Sequence, residues 1–260
     1  MTELTVAQIA ALCGVALFAG AMDAIAGGGG LITVPALLAA GLPPHAAIAT
    51  NKGQSTFGSL AAVTRYGHAG LIDRATARFA FPLALLGSAA GASLALWVPA
   101  EVLRPIILAL LIGAAIVVTV SQPRAGDGSE RPVRRNATLA IAAAALVIGA
   151  YDGFFGPGTG TFLIAFYVGW VGLSLSRATA DAKVVNFAAN AAAMAVFASR
   201  GAILWRVALP MAGAQLVGGF LGAHVAVRRG ERLIRGVVLI VVLALVVKIA
   251  RDIYLGRHQP

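Results

Sequence analysis

Cys13 is the only cysteine, so no disulfide can form within the chain, and the residue reads as a small buried apolar side chain. Histidine is almost as scarce. No two of His45, His68, His224 and His258 stand at metal-ligand spacing, which leaves no metal motif and no implied cofactor. Charge is the deepest deficit: Asp, Glu, Lys and Arg make up 12% of the chain against 59% apolar residues. Soluble domains carry about 25% charged and roughly 45 to 50% apolar residues, so the bilayer must be the solvent here. Two-residue alternation is also missing, which excludes a transmembrane barrel, and the backbone must satisfy itself in helices. The start of the chain, with Glu3 and no basic cluster, lacks the n-region of a cleaved signal peptide, and residues 6 to 22 read as a retained first helix.

Acidic residues are few, 10 against 20 basic ones. A net charge of +10 could suggest nucleic acid, but its distribution excludes that reading. Arg65, Arg74 and Arg78 fall in one connection, Arg124, Arg131, Arg134 and Arg135 in a second, and Arg228, Arg229, Arg232 and Arg235 in a third. These are membrane-flanking anchors, and lipid is the partner they imply. A homo-oligomer is compatible with the composition and not required by it.

What is present in abundance is an internal echo. Gly20-Ala21-Met22-Asp23 followed by Gly27 to Gly30 returns as Gly149-Ala150-Tyr151-Asp152 followed by Gly156-Pro157-Gly158-Thr159-Gly160. Lys52 then matches Lys183, Gly70 matches Gly201, Pro82 matches Pro210 and Glu101 matches Glu231, at offsets of 128 to 131 residues. Residues 1–121 form a first repeat, 122–136 a polar linker, and 137–260 a second repeat with a short tail. Apolar segments lie near 6–22, 31–41, 45–65, 76–97 and 102–121, and again near 137–152, 161–173, 177–198, 203–227 and 233–251. A full crossing takes about 20 residues, so 31–41 and 161–173 read as half-helices. The expected fold is an all-α polytopic membrane protein of two homologous repeats with broken helices and about 8 to 10 membrane segments, a transporter pattern.

An odd number of crossings per repeat would invert the second copy, and inversion is the expectation. The basic residues do not fix the topology. With ten full crossings the three arginine-rich connections share a side; with two re-entrant segments the third is expected to fall opposite the first two.

Chemistry is expected where helices stop inside the membrane. Glycine runs let the chain bend and expose backbone N–H groups at the start of the next helix, which suits an anion. Gly27, Gly28, Gly29 and Gly30 form one such site, and Gly156, Gly158, Thr159 and Gly160 the other, with Thr33 and Thr161 as further hydroxyl donors. The bland reading of these glycines is close helix packing. Asp23 and Asp152 cost about 2.5 to 3.5 kcal/mol each at the bilayer centre, so each must do something. They can bind a coupling proton, hold a cation, or cap the adjacent break. Lys52 and Lys183 sit at equivalent places, flanked by Asn51 and Asp181. With Thr50, Gln54, Ser55, Asn186 and Asn190 they give two helices a polar stripe. A cationic site lined by amides and hydroxyls suits a small oxyanion; the ordinary alternative is a lysine snorkelling to headgroups.

The segment from Ala19 to Pro35, then Ala49-Thr50-Asn51-Lys52 and Gly149 to Gly160, resembles the sulfite exporter TauE/SafE family of membrane permeases, over about residues 6–252. The resemblance implies a multi-pass inner-membrane carrier for sulfite or related small sulfur-containing anions, acting as an exporter by alternating access. Asp23 or Asp152 would couple protons. A passive anion channel is the alternative reading of the same helix ends. Tyr151-Asp152 also resembles the Tyr-Asp element of intramembrane aspartyl proteases, but no Gly-x-Gly-Asp partner lies within a helix, and Ser55, Ser59 and Ser88 have no recognisable base. The chain is therefore not expected to be an enzyme.

Overall fold

The computed structural model describes residues 4–120 and 137–229. The sequence-predicted linker at 122–136 and the last apolar segment at 233–251 lie outside these residues, as do Glu231 and His258. The described residues are helical throughout: α1 Val6–Ala26, α2 Gly30–Ala39, α3 Pro44–His68, α4 Arg74–Trp97, α5 Ala100–Val120, α6 Ala137–Phe154, α7 Thr159–Phe166, α8 Leu175–Ser199 and α9 Trp205–Arg229. A π-helical turn, Tyr167–Val171, continues α7. Five helices, α1, α4, α6, α8 and α9, are long and apolar enough to cross a membrane. The 10 residues of α2 rise only about 15 Å, half of a bilayer core.

Local sequence explains the element ends. Thr5 caps α1, accepting a hydrogen bond from the Gln8 N–H while the Gln8 side chain accepts from the Thr5 N–H. Gly27 ends the same helix with φ 82°, a conformation that suits glycine alone. Asp73 caps α4 through the N–H groups of Ala75 and Thr76. Pro44 opens α3 at a first-turn position, where its missing N–H costs nothing.

The core fixes the direction of each helix. Leu12 and Ala16 of α1 cluster with Leu37, Leu42 and Ala47, so α2 folds back to the face where α1 began. At the other end, the Tyr66 hydroxyl near the end of α3 donates to the Ala24 carbonyl of α1 at 2.9 Å. Thus α1 and α3 run parallel, and α1 with α2 forms a re-entrant hairpin opening on what is called here the first face. In the second set, Ala137 and Ile141 of α6 cluster with Leu163, Tyr167 and Ala178 and with Ala80 and Ala84 near the start of α4, on the second face. The α6–α7 hairpin therefore opens on the opposite face from α1–α2. Ile48 and Ala49 of α3 pack near Ala193 and Phe197 of α8, so these two equivalent helices are antiparallel. The halves are inverted.

The halves also interlock. A Cβ on Gly87 or Gly91 of α4 would collide with the carbonyl oxygen of Leu146 or Ala150 of α6. Gly218 and Gly222 of α9 meet the carbonyls of Leu17 and Ala21 of α1 in the same way. Each hairpin thus lies backbone to backbone on the fourth helix of the other half, the close approach that small residues permit in membranes. These contacts repeat at an offset of 131 residues along α4 and α9, which puts Pro210 about one turn away from the position equivalent to Pro82.

One topological expectation is overturned. The Arg65 Nε–H at the end of α3 donates to His224 Nδ1 near the end of α9 at 3.3 Å, and Ala223 and Ala226 cluster with Tyr66. The start of the third arginine-rich connection, Arg228 and Arg229, accordingly lies on the same face as Arg65, Arg74 and Arg78. The reason is geometric: each re-entrant hairpin consumes both its helices, leaving α3, α4 and α5 and then α8 and α9 to cross alternately.

Candidate functional site

The helices α3 and α8 carry the polar stripe and are the most enclosed elements; 61% of the α8 span is buried. Their antiparallel packing brings Lys52 against α8 and Lys183 against α1. Between them the two hairpin tips cross. A Cβ on Gly160 would lie 2.5 Å from the Gly27 Cα, and one on Gly30 would lie 3.1 Å from the Pro157 Cα. The breaks therefore touch in antiparallel fashion, and only glycine allows it.

A small polar cavity lies at this crossing; the empty space there, counted together with its opening to solvent, is ≈ 290 Å³. Asp23, Gly27, Gly30, Asn51, Lys52, Ser55, Asp152, Gly156, Gly160, Asn186 and Asn190 line it. Every one of them belongs to the residue set read from the sequence. Gly28, Gly29, Gly158, Thr159 and Lys183 are not among the lining residues. The hydroxyls expected to serve as donors are committed elsewhere: Thr33 donates to Asn51 Oδ1 at 2.5 Å, Thr159 to the Gly156 carbonyl at 2.7 Å, and Thr161 to the Ala26 carbonyl at 2.9 Å. They close the frayed backbone of the breaks instead of facing the cavity.

The lysines do not snorkel. Their side chains are 1% and 0% exposed for Lys52 and Lys183, and each meets an aspartate of the other half. Lys52 Nζ stands 3.0 Å from Asp152 Oδ2, and Lys183 Nζ donates to Asp23 Oδ2 at 2.8 Å. This corrects the expectation of free positive potential: two ammonium groups and two carboxylates sum to zero. Sequence spacing gave no sign of the pairing, because each pair joins residues from different repeats.

The partners beyond the ion pairs differ. Asp23 Oδ1 accepts the Gly29 N–H at 3.2 Å, so this carboxylate caps its own break, one of the roles read from sequence. Lys52 also donates to Asn190 Oδ1 at 3.1 Å. Asn51 Oδ1 gathers donors from Thr33, Gln54 and Ser55, which fixes its amide. Asn186 Oδ1 is buried in the cavity wall without a hydrogen-bond partner. Gln215 of α9 was not singled out by sequence reasoning. Its side chain fills the space left by Gly20 and Gly58 and its Nε2 donates to Ser55 Oγ at 3.4 Å. A lone amide in an apolar helix was the available signal.

Asp181 does not join Lys183 at the cavity. Its Oδ1 accepts the backbone N–H of Asp73 at 2.9 Å, tying the α3–α4 turn to α8 at the second face. Outside the membrane, in that turn, the Thr76 hydroxyl and the first N–H groups of α4 hold the Asp73 carboxyl below the usual carboxylate range. His45 sits at the opposite end, with Nε2 3.0 Å from the Val98 carbonyl. Among the described residues no cluster of three or more His, Cys, Asp or Glu could hold a metal. The carboxylate dyad imagined for protease chemistry is not formed, since Asp23 and Asp152 are each paired with a lysine. Ser59 and Ser88 donate to the backbone carbonyls of Ser55 and Ala189 and have no base beside them.

Comparison with known proteins agrees with this architecture. The family model described as sulfite exporter TauE/SafE matches residues 12–249. A probable membrane transporter protein, ORF9, of Sinorhizobium sp is 38% identical over 258 residues, covering 97% of this chain and 96% of that protein. The probable membrane transporter protein YfcA of Escherichia coli K12 is 34% identical over 238 residues, with 92% and 88% covered. A probable membrane transporter protein of Haemophilus influenzae is 36% identical over 252 residues, with 96% and 97% covered. No solved structure matches the chain.

Proposed function

The chain belongs to the sulfite exporter TauE/SafE family of multi-pass membrane transporters, and on that premise we propose that it moves sulfite or a related small sulfur-containing anion out of the cytoplasm by alternating access. The observation that carries this reading is the cavity at the crossing of two inverted hairpins, where the first turns of α2 and α7 meet Lys52. Half-helix starts supply backbone donors and a positive dipole end for an oxyanion. Lys52, although paired with Asp152, is the cation that faces the cavity and offers an oxyanion a contact without the fixed fork of arginine, and Asn51, Asn186 and Asn190 orient the ligand. Inverted halves meeting at the site provide the two rocking elements that alternating access requires. The second face, carrying Arg65, Arg74, Arg78, Arg177, Arg228 and Arg229 against Arg104, Arg200 and Arg206 on the first, is cytoplasmic by charge bias.

Uptake of labelled sulfite into proteoliposomes tests this reading, with sulfate, thiosulfate and a short sulfonate as competitors and an imposed pH gradient as the variable. Accumulation above equilibrium marks a coupled carrier; flux that only dissipates a gradient marks a channel. Unchanged flux in folded Lys52→Met protein would remove Lys52 from the mechanism.

A further inference from the structure

The two lysine–aspartate pairs occupy equivalent positions but are built differently. Asp23 has both oxygens engaged, one by the Gly29 N–H and one by Lys183. It is also wedged against its own break, where a Cβ on Gly29 would stand 2.7 Å from the Asp23 Cβ. Its partner Lys183 is fully buried and is not among the residues that line the cavity. Lys52, in contrast, lines the cavity and has Asn190 as a second acceptor. Asp152 Oδ2 lies 3.0 Å from Lys52 Nζ without regular hydrogen-bond geometry, and the Thr159 hydroxyl stands near the same carboxylate. One pair braces the fold through both oxygens of its carboxylate; the other has fewer well-formed hydrogen bonds and sits in a place a ligand can reach.

No other ionisable group at the site can alter the balance. From α1 and α8 come Asp23 and Lys183, and from α3 and α6 come Lys52 and Asp152. The tyrosine hydroxyls nearby are bonded, Tyr66 to the Ala24 carbonyl and Tyr151 to the Pro157 carbonyl. Around the cavity, α2 and α7 contribute threonines and backbone, α4 contributes Ser88 and α9 contributes Gln215. Arg65 and His224 pair with each other at the second face. A monoanion entering this neutral cavity leaves one uncompensated negative charge in a poorly solvated place, which is costly. The balance returns if one carboxylate takes a proton. At Asp23 that would undo a cap and a brace together. At Asp152 it releases Lys52 toward the anion, keeps Asn190 on the ammonium, and creates an O–H donor in a cavity whose wall holds the unpartnered Asn186 Oδ1.

We propose that Asp152 takes up a single proton with each monoanion bound, so that anion and proton cross together as an electroneutral pair. This deepens the transport reading above and rests on it. The inside-negative potential then neither assists nor opposes the anion, and direction follows the anion and proton concentrations on the two sides.

The test counts protons. Purified full-length protein in weak buffer with a pH indicator is titrated with ethanesulfonate and, separately, with sulfite at a mildly acidic pH where sulfite is the hydrogensulfite monoanion. The expected result is one proton taken up per anion bound by the wild type and by Asp181→Asn, and none by Asp152→Asn. Binding without proton uptake in the wild type, or proton uptake that survives in Asp152→Asn, overturns the proposal and leaves the transport reading standing. No binding of either anion to protein with an intact thermal transition overturns both. If Asp152→Asn does not fold, wild-type flux decides: an imposed pH gradient should drive uptake while a potassium–valinomycin potential leaves it unchanged, and potential-driven uptake refutes electroneutrality.

Discussion

The Asp23–Lys183 pair joins the halves, so it should behave as one energetic unit. At 2.8 Å and an effective dielectric constant of about 20 the gross attraction is about 6 kcal/mol, before the cost of desolvating two ions. Removing one partner from a buried pair costs about 3 to 5 kcal/mol, because the other charge stays behind uncompensated. Lys183→Met leaves Asp23 with only the Gly29 N–H, and should lose about that much. Asp23→Asn keeps a side-chain oxygen for Gly29 but strands a lysine that is 0% exposed. In the double variant no charge is stranded, and the remaining loss is the weakening of one charge-assisted hydrogen bond, about 1 kcal/mol. Unfolding in mixed detergent micelles, followed by circular dichroism for all four proteins, measures the coupling, expected at about 3 kcal/mol or more. Losses that simply add in the double variant would refute the pairing.

Other outcomes follow from the same geometry. Gly160→Ala drives a methyl group into the opposing break at Gly27 and should abolish folded protein or flux, whereas Gly169→Ala, with open space around it, should change stability by less than about 0.5 kcal/mol. Asp73→Ala removes the α4 cap and should cost about 1 kcal/mol at neutral pH by thermal unfolding. Because the folded-state pKa of Asp73 is depressed, its contribution is present above the ordinary carboxylate range and is lost as pH falls through the folded value, so the gap between variant and wild type should close on acidification. In a Cys13→Ser background, an impermeant maleimide applied to intact cells should label Ser199→Cys and spare Ala75→Cys; the reverse pattern would invert the orientation assigned from charge.

Much of the architecture was legible because polar residues are conspicuous in an apolar chain. An aspartate, a lysine or a pair of asparagines inside a membrane segment can only face protein or water, and so the cavity lining falls within the set read from sequence. Short apolar segments after glycine runs identified the half-helices for the same reason of length. Asp181 was harder to place, though helical geometry had the answer: residues two apart, as Asp181 and Lys183 are, point about 200° from each other around the helix and cannot share a site. Inversion was expected, but the side of the third arginine-rich connection was hidden, because counts of basic residues are compatible with more than one path and only contacts such as Arg65 with His224 choose between them. Gln215 was hidden because its partners are glycines, whose role is to be absent volume.

The cross-half pairing ties the electrostatics to the motion that transport requires. Asp23 sits on the α1–α2 hairpin and Asp152 on the α6–α7 hairpin, while their lysines sit on the central helices of the opposite halves. Each hairpin also lies backbone to backbone on the fourth helix of the other half, with glycines removing any cushion of side chains. Neither hairpin can shift without carrying a charge past a lysine of the half it leans on. Of the two equivalent pairs, Asp23–Lys183 has both carboxylate oxygens hydrogen-bonded, whereas Asp152–Lys52 is the one the proposal releases by protonation. On the proposal above, the asymmetry between the repeats at these points becomes a mechanical one, a firm hinge on one side of the pseudo-two-fold axis and a titratable latch on the other.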